Sequence, residues 1–457
     1  MTAVEGVLTA IVGAGHVTSG DSVVDDYTHD ESLTSPGCRP AAVVRPGDTA
    51  EVAAVVRAAT ELGVPLTPRG SGTGLSGGCV PVEGGVVVSF ERMDAIVEID
   101  DRNHVAVVQP GVTLERLDEA LAPHGLVYPV FPGEQSASLG GNVATNAGGM
   151  RAVRHGVTRH HVLGLEAVLG TGEVIRTGGR FVKATAGYDL TQLLVGSEGT
   201  LALVTEATLR LQPRPPHAVT LLAPFATLDQ VASAVPPIVA SGLAPLMVEY
   251  IDLLTMAAIT TNAGLDLGIP EPVRDSALAY LVVVLDSHHE DRLAEDAEAL
   301  AVLVDSLGAL DVYVLPPTAG AQLIVARERA FWSAKAAGAD DIVDVVVPRA
   351  SIPRYLAEMT ELAAGSASLI TGCGHAGDGN VHLSVFQPDD GIRHRLVGSM
   401  IEAGIRLGGA VSGEHGIGRE KKAYLAVVED PVKLELMRRI KSTFDPAGIL
   451  NPGAIFD

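Results

Sequence analysis

Pro68-Arg69-Gly70-Ser71-Gly72-Thr73-Gly74-Leu75-Ser76-Gly77-Gly78 is the stretch whose reading decides the fold. Gly72 to Gly77 match the G-x-G-x-x-G dinucleotide pattern, and Gly74 to Gly78 match a G-x-S-x-G nucleophile elbow. Both patterns need a helix to begin at the loop. The text runs instead into the strand GGVVVSF, so both readings fail. What Gly70 to Gly74 can offer is a row of backbone amides with no side chains in the way, a concave nest suited to a pyrophosphate. A tight glycine turn is the other reading of the same residues.

A second cluster, FPGEQSASLGGNVATNAGGM from Phe131 to Met150, adds another amide-rich loop with the polar side chains Ser138, Asn142, Thr145 and Asn146. A large phosphate-bearing cofactor would use both loops. Around them, from Arg39 to Leu211, short β-branched strands (AAVVRP, VPLTPR, GGVVVSF, HVAVVQPG, LEAVLGTG, LVTEATLRL) alternate with glycine turns and with a helix expected over Thr49 to Leu62, ending at Gly63. Pro213-Arg-Pro-Pro216 then interrupts regular structure, which predicts a boundary near residue 213. Beyond it, YLVVVLD, DVYVLP, SLITGCG and VHLSVF read as strands, with helices over Asp291 to Leu307, Ala319 to Ala337 and Pro353 to Ala364. The end of the chain reads as one amphipathic helix stopped by Pro446. The expected class is α+β, with a helical segment at 1–38, a cofactor domain at 39–213, a substrate or cap domain at 214–411, and a segment at 412–457 that completes the site.

A chain of 457 residues with 47% hydrophobic content is long enough for two or more cores. Its formal charge of −23 disfavours nucleic acid and anionic membrane surfaces as partners. Cys38, Cys79 and Cys373 are far apart, which argues against a disulfide framework or an iron–sulfur cluster held within this chain. The N-terminal text lacks a basic leader, and no apolar run approaches membrane-spanning length. A soluble, cytoplasmic protein is expected, with peripheral attachment to a membrane through an electron-acceptor partner as the variant; a homodimer is left open.

Gly-Cys-Gly-His375-Ala-Gly-Asp378-Gly-Asn380-Val-His382, followed by Ser-Gly-Glu414-His415-Gly, offers two imidazoles, a carboxylate and a spare histidine. Borderline divalent metals favour nitrogen and carboxylate ligands, and a catalytic site keeps three protein ligands and one open position. His375, His382 and Glu414 fill that quota and leave His415 as a base. Strand alternation puts His382 and Ser384 on one face and the aliphatics of VHLSV on the other, so His382 is expected to face a cavity. His160, His161, His288 and His289 have no such setting and are expected at the surface.

PRGSGTGLSGG, GGNVATNAGG and VGSEGTLALVTEATLRL resemble the FAD domain of the vanillyl-alcohol oxidase and p-cresol methylhydroxylase fold. GCGHAGDGNVH, SGEHGIGR and FDPAGILNPG resemble the C-terminal half of its D-lactate, glycolate and D-2-hydroxyglutarate dehydrogenase branch. The likeness runs from Arg39 to Phe456. It implies a non-covalent FAD, because the first loop lacks histidine and cysteine. Arg69, Gly70, Ser71, Gly72, Thr73 and Gly74 would hold the pyrophosphate. Pro132, Ser138, Gly140, Gly141, Asn142, Thr145, Asn146, Gly148 and Gly149 would line the ribityl chain and flavin, and the stretch from Glu198 to Val204 would approach the adenine or isoalloxazine. Asn451, in the closing motif, joins the expected cofactor set. The resemblance also makes His375, His382 and Glu414 metal ligands, with zinc expected, His415 the base, and Arg327 a contact for the substrate carboxylate.

Oxidation of a 2-hydroxy acid then needs the hydroxyl proton removed and a hydride passed to the flavin. A metal would steady the developing alkoxide, and His415, with an ordinary pKa near neutrality, would take the proton. Arg327 sits in VARERAFWSAK, where one continuous helix would give it a shared face with Phe331 and Lys335. Relative to the hydroxyglutarate-type pattern, Phe331 replaces a hydroxyl residue, Ile342 a lysine and Ser384 an asparagine. A second substrate carboxylate would lack partners, which favours a monocarboxylate such as D-lactate, glycolate or a longer apolar 2-hydroxy acid. The alternatives are a D-2-hydroxyglutarate dehydrogenase-like activity, an FAD-binding electron-transfer subunit of a glycolate oxidase complex, and a metal hydrolase or lyase using the same histidines. With no iron–sulfur ligands and no nicotinamide fold, reduced flavin must discharge to oxygen, a quinone, a cytochrome, an electron-transfer flavoprotein or a partner subunit.

Overall fold

The structure, a computed structural model, describes residues 3–456. Its first sheet is built from Ala42–Val44, Leu66–Arg69 and Val86–Ser89, strands so short and apolar that they are buried almost throughout, as parallel strands covered on both faces must be. They pair in parallel with Val86–Ser89 in the middle, and Val17–Ser19 adds antiparallel on the outer edge. Residues near the start of the chain therefore join this sheet, alongside the helix Ala3–Val12. The crossover is the helix Thr49–Leu62. Asp48 accepts from the amide of Glu51 at 2.8 Å, Glu51 accepts from the amide of Gly47 at 2.7 Å, and Gly63 at φ 63° ends the last turn. Its buried Val52, Val55 and Val56 pack on Val44, Val86 and Val88, each burial contributing about 1.5–3 kcal/mol.

The second sheet is antiparallel, in the order Ile96–Asp100, Val105–Val108, Ala202–Arg210, Val162–Leu169, Val174–Gly178. Before it closes, the second glycine cluster forms a short helix, Leu139–Thr145, where a loop was expected. Ser138 caps its start, and Asn146, at φ 53°, ends it. Gln212–Pro213 pairs with Leu126–Val127, and the chain then enters a third, seven-stranded antiparallel sheet at His217–Phe225. In that sheet the order is Tyr313–Leu315, His217–Phe225, Ala279–Ser287, Met247–Asp252, Leu369–Gly374, Asn380–Phe386, Asp341–Val346. Helices Leu228–Ala240, Glu290–Ser306, Ile352–Gly365 and Asp390–Arg406 cover one face through Val235, Leu300, Tyr355 and Met400. Leu253–Ala263 and Pro317–Glu328 pack on the other through Met256, Ile259 and Leu323.

Two expectations need correction. The helix foreseen over Ala319 to Ala337 is two helices, Pro317–Glu328 and Ala330–Ala336, broken at Arg329. Arg327 consequently shares no continuous face with Phe331 and Lys335, whereas those two do meet within the second helix, Lys335 Nζ lying 5.9 Å from the Phe331 ring centroid; Lys335 also pairs with Glu31 at 2.5 Å. His161 is fully buried, not a surface residue, with Nε2 at 2.9 Å from the His155 carbonyl and its ring edge-on to Tyr128. His160, His288 and His289 are exposed.

The helix Pro431–Phe444 leads to a tail that returns to the first sheet: Leu66 donates to Ile449 at 2.8 Å, and Asn451 donates to Leu66 at 2.7 Å. No helix among the described residues is long and apolar enough to cross a membrane.

Candidate active site

In Asn380–Phe386 the period of two holds: Val381, Leu383 and Val385 are buried in the core, while His382 and Ser384 line a cavity of about 490 Å³. The preceding turn needs glycine at 379, where φ is 95° and a Cβ would lie 2.0 Å from the Val347 carbonyl oxygen. That turn brings His375 beside His382, their ring centroids 4.8 Å apart. Glu414 arrives from the later loop, with Oε1 at 3.1 Å from His375 Nε2 and 3.2 Å from His382 Nε2. Its other oxygen, Oε2, is buried with no hydrogen-bond partner.

Two acidic residues that the sequence did not single out organise this cluster. Glu249, fully buried in Met247–Asp252, lies with Oε1 at 2.8 Å from His375 Nδ1 and Oε2 at 2.8 Å from Arg327 Nη2. Asp344, also fully buried, stands opposite His382 in the neighbouring strand. Its Oδ2 accepts from the Ser412 hydroxyl at 2.7 Å and from the amides of Gly413, Glu414 and His415 at 3.0, 3.0 and 2.9 Å, while Oδ1 accepts from Asn380 at 2.7 Å. A single carboxylate thus shapes the loop that presents Glu414 and His415. Neither acid is visible in the sequence, because each reads as one charged residue inside an apolar strand.

The charges follow from this arrangement. Burial would depress His375, but Glu249 and then Glu414 overcome it and hold the imidazole well above its ordinary pKa. Burial would raise Glu414, and His375 outweighs it, leaving that carboxyl below its ordinary range. Burial would likewise raise Asp344, and His415 and Lys421 hold it well below. His415 differs from expectation: burial pushes it down to about 4, so it is a neutral imidazole at physiological pH rather than one poised near neutrality.

One ligand atom from each of His375, His382 and Glu414 lies within 4.8 Å of the others, and Asp344, His382 and His415 form a second such group. A cation fits the first group better. Glu414 Oε2 is unpartnered, whereas both oxygens of Asp344 are taken up by donors. The Glu249 carboxylate behind His375 is the outer partner that metal-binding histidines commonly have.

A second cleft lies between the first two sheets and is lined by the residues from Pro68 to Ser76 and by the segment around Ser138. The amides of Gly72, Thr73 and Gly74 donate to no protein acceptor among the described residues, as a phosphate cradle requires. The two loops approach closely: Ser138 donates to Ser71 Oγ at 2.9 Å, and a Cβ on Gly70 would sit 2.0 Å from Ser138 Oγ. Arg69, Pro132, Gly140, Gly141, Asn142, Thr145, Gly148, Glu198 and Val204 also line the cleft, and Asn142 Nδ2 is buried without a partner.

Three expected cofactor residues do not line it. Asn146 accepts from the Arg159 amide at 2.9 Å, Asn451 donates to the carbonyls of Gly78 and Glu198, both at 2.8 Å, and Gly149 is pressed against the Phe131 carbonyl. Glu198 spends both carboxylate oxygens on the amides of Ile417 and Gly418, each at 2.7 Å, so it ties the His415 loop to the cleft. Cys79 is on the cleft wall, its thiol pushed up to about 12 by burial. The cleft and the cavity share Thr73, Leu75, Pro132, Glu134, Glu414 and His415, so Glu414 and His415 stand on the wall between them.

An FAD binding domain model matches residues 40–178, and the C-terminal domain model of FAD linked oxidases matches residues 214–455. An uncharacterized FAD-linked oxidoreductase of Mycobacterium tuberculosis is 56% identical over 446 residues, covering 98% of this chain and 97% of that protein. A D-lactate dehydrogenase of Anaerostipes hadrus is 38% identical over 454 residues, covering 96% and 94%. Among solved structures, p-cresol methylhydroxylase with substrate bound superposes with a TM-score of 0.80 at 18% identity, covering 99% of this chain and 96% of that one, which shows a shared fold. The chain belongs to the FAD-linked oxidases and is an FAD-dependent oxidoreductase.

Proposed function

We propose that this protein oxidises a 2-hydroxy monocarboxylate, of the class that includes D-lactate and glycolate, to the 2-oxo acid. The observation that carries this reading is the shared wall: Glu414 and His415 border both the cofactor cleft and the cavity beside His375 and His382. When bound, FAD supplies a hydride acceptor, and a divalent cation, zinc by its nitrogen and carboxylate donors, supplies Lewis acidity. The rest falls to the chain. The nest at Gly70–Gly74 holds phosphates, and the segment around Ser138 lines the rest of the cofactor; His375, His382 and Glu414 hold the cation. His415, neutral through burial, accepts the hydroxyl proton. Ser384 lines the cavity on the His382 face and is placed to hydrogen-bond substrate.

Among the described residues, Arg327 is the one permanent cation lining the cavity. Its Nε is buried without an acceptor, which suits a substrate carboxylate, although Glu249 already balances part of its charge. A second carboxylate on the substrate would meet Glu134 and Glu328 on the same cavity wall, and with Phe331 and Ile342 there as well a hydroxyglutarate-like diacid is disfavoured. The relative named D-lactate dehydrogenase supports the monocarboxylate. Anaerobic mixing of the purified holoenzyme with D- and L-lactate and glycolate tests the proposal: bleaching of the flavin spectrum by one of them is expected. A flavin that no 2-hydroxy acid reduces would refute it, and a His415→Ala variant should slow the bleaching about 10²–10⁴-fold.

A further inference from the structure

The cavity beside His375 is far larger than lactate or glycolate needs, and its polarity is uneven. At about 490 Å³ it has room well beyond lactate, whose side chain is one methyl group. Its charged and imidazole side chains are His375, His382, His415, Glu414, Arg327, Glu134 and Glu328, of which Glu134, Glu414 and His415 also line the cleft. The helices Leu253–Ala263 and Ala330–Ala336, joined where Asn262 donates to Ser333 at 3.0 Å, contribute the small residues Ala258, Ala330 and Ala334 to a lane that Phe331 and Phe386 flank and that the hydroxyls of Thr255 and Thr371 also line. The lane reaches solvent at three large apolar side chains that are well exposed, Leu254 at 52%, Leu369 at 48% and Trp332 at 39%. Apolar side chains at a cavity mouth gain when an apolar ligand covers them.

We infer, resting on the hydroxy-acid reading above, that the substrate is a medium-chain 2-hydroxy acid, its carboxylate and hydroxyl at the histidine cluster and its alkyl chain running past Ala258 and Ala334 to the Trp332 rim. No charged partner is needed along this path. Each methylene that leaves water for the lane raises kcat/KM by about fourfold, so the gain over the roughly five methylenes from lactate to 2-hydroxyoctanoate is on the order of a thousandfold.

The test uses the holoenzyme and the series glycolate, lactate, 2-hydroxybutyrate, 2-hydroxyhexanoate and 2-hydroxyoctanoate, each followed by anaerobic flavin reduction. A steady rise with chain length is expected. Trp332 is the only tryptophan in the chain, so its emission reports the rim directly; a blue shift is expected with the product analogue 2-oxooctanoate and none with pyruvate. In Ala334→Phe and Ala258→Phe, from opposite sides of the lane, reduction by 2-hydroxyoctanoate should drop at least about tenfold while lactate changes by less than about twofold. A series that is flat or favours lactate overturns the inference and leaves the hydroxy-acid reading standing, as does an emission that 2-oxooctanoate leaves unmoved. Equal losses on both acids in both variants overturn the placement of the chain. Failure of every member to reduce a flavin that remains bound overturns the parent reading instead.

Discussion

Glu249 is hydrogen-bonded to His375, Oε1 to Nδ1 at 2.8 Å, between residues 126 positions apart in the chain. This contact fixes the ring so that Nε2 points at Glu414, and it leaves Glu249 as the shared counter-charge of His375 and Arg327. Glu249→Gln keeps the shape and removes the charge. Zinc affinity, measured by competition with a chromogenic chelator, is expected to fall about 10–100-fold. Unchanged affinity would show that His375 is not a ligand.

His161 supplies a test of acid stability outside the cluster of His375, His382 and Glu414. Burial pushes its folded pKa down to about 4 from an ordinary value of 6.5. Between those values the unfolded chain binds the proton more readily, so the stabilisation is complete above the ordinary value and is lost as pH falls toward the folded one. The loss approaches about 3 kcal/mol. Urea unfolding at about pH 7 and about pH 4.5 should show this slope in the native protein and a shallower one in His161→Gln. Equal slopes would contradict the assignment.

A methyl group at Gly148 would lie 2.7 Å from Glu414 Oε2 and 3.3 Å from Val157 Cγ1. The side chain of Glu414 must therefore move in Gly148→Ala. The rate of flavin reduction is expected to fall about 10²-fold, with the far-ultraviolet dichroism unchanged. A variant that reduces its flavin at the native rate would mean that Glu414 need not sit where it does.

Glu198→Ala leaves the amides of Ile417 and Gly418 without their acceptor. The expected destabilisation is about 1–3 kcal/mol for each buried donor that water does not reach. Because this carboxylate joins the His415 loop to the cofactor cleft, the purified variant should also carry less FAD per chain than the native protein, measured by flavin absorbance after unfolding. Full flavin content together with native stability would show that the tie is dispensable.

The parts of this architecture visible in the sequence are those with local grammar. The strands at Ala42–Val44, Leu66–Arg69 and Val86–Ser89 are valine-rich or turn-bounded, and Thr49–Leu62 is bracketed by Asp48 and Gly63. His375, His382 and Glu414 stood out because glycine-rich text surrounds polar ligands. Glu249 and Asp344 had no such frame. Their importance comes from strand neighbours, Asp344 opposite His382 and Glu249 beneath His375, and pairing over long separations leaves no mark in composition. The break at Arg329 was equally hidden, since neither glycine nor proline marks it.

Leu66 leaves the ribosome long before Ile449 and Asn451, the residues that bond to its backbone. The valine core around Val52 and Val86 can therefore form during synthesis while the outer edge at Leu66–Arg69 waits for the tail. Until then it is an open strand edge, the kind of surface that templates pairing between chains. Truncated products of translation should accordingly be prone to aggregate and to proteolysis, and the cell obtains a sealed cofactor domain only from a finished polypeptide.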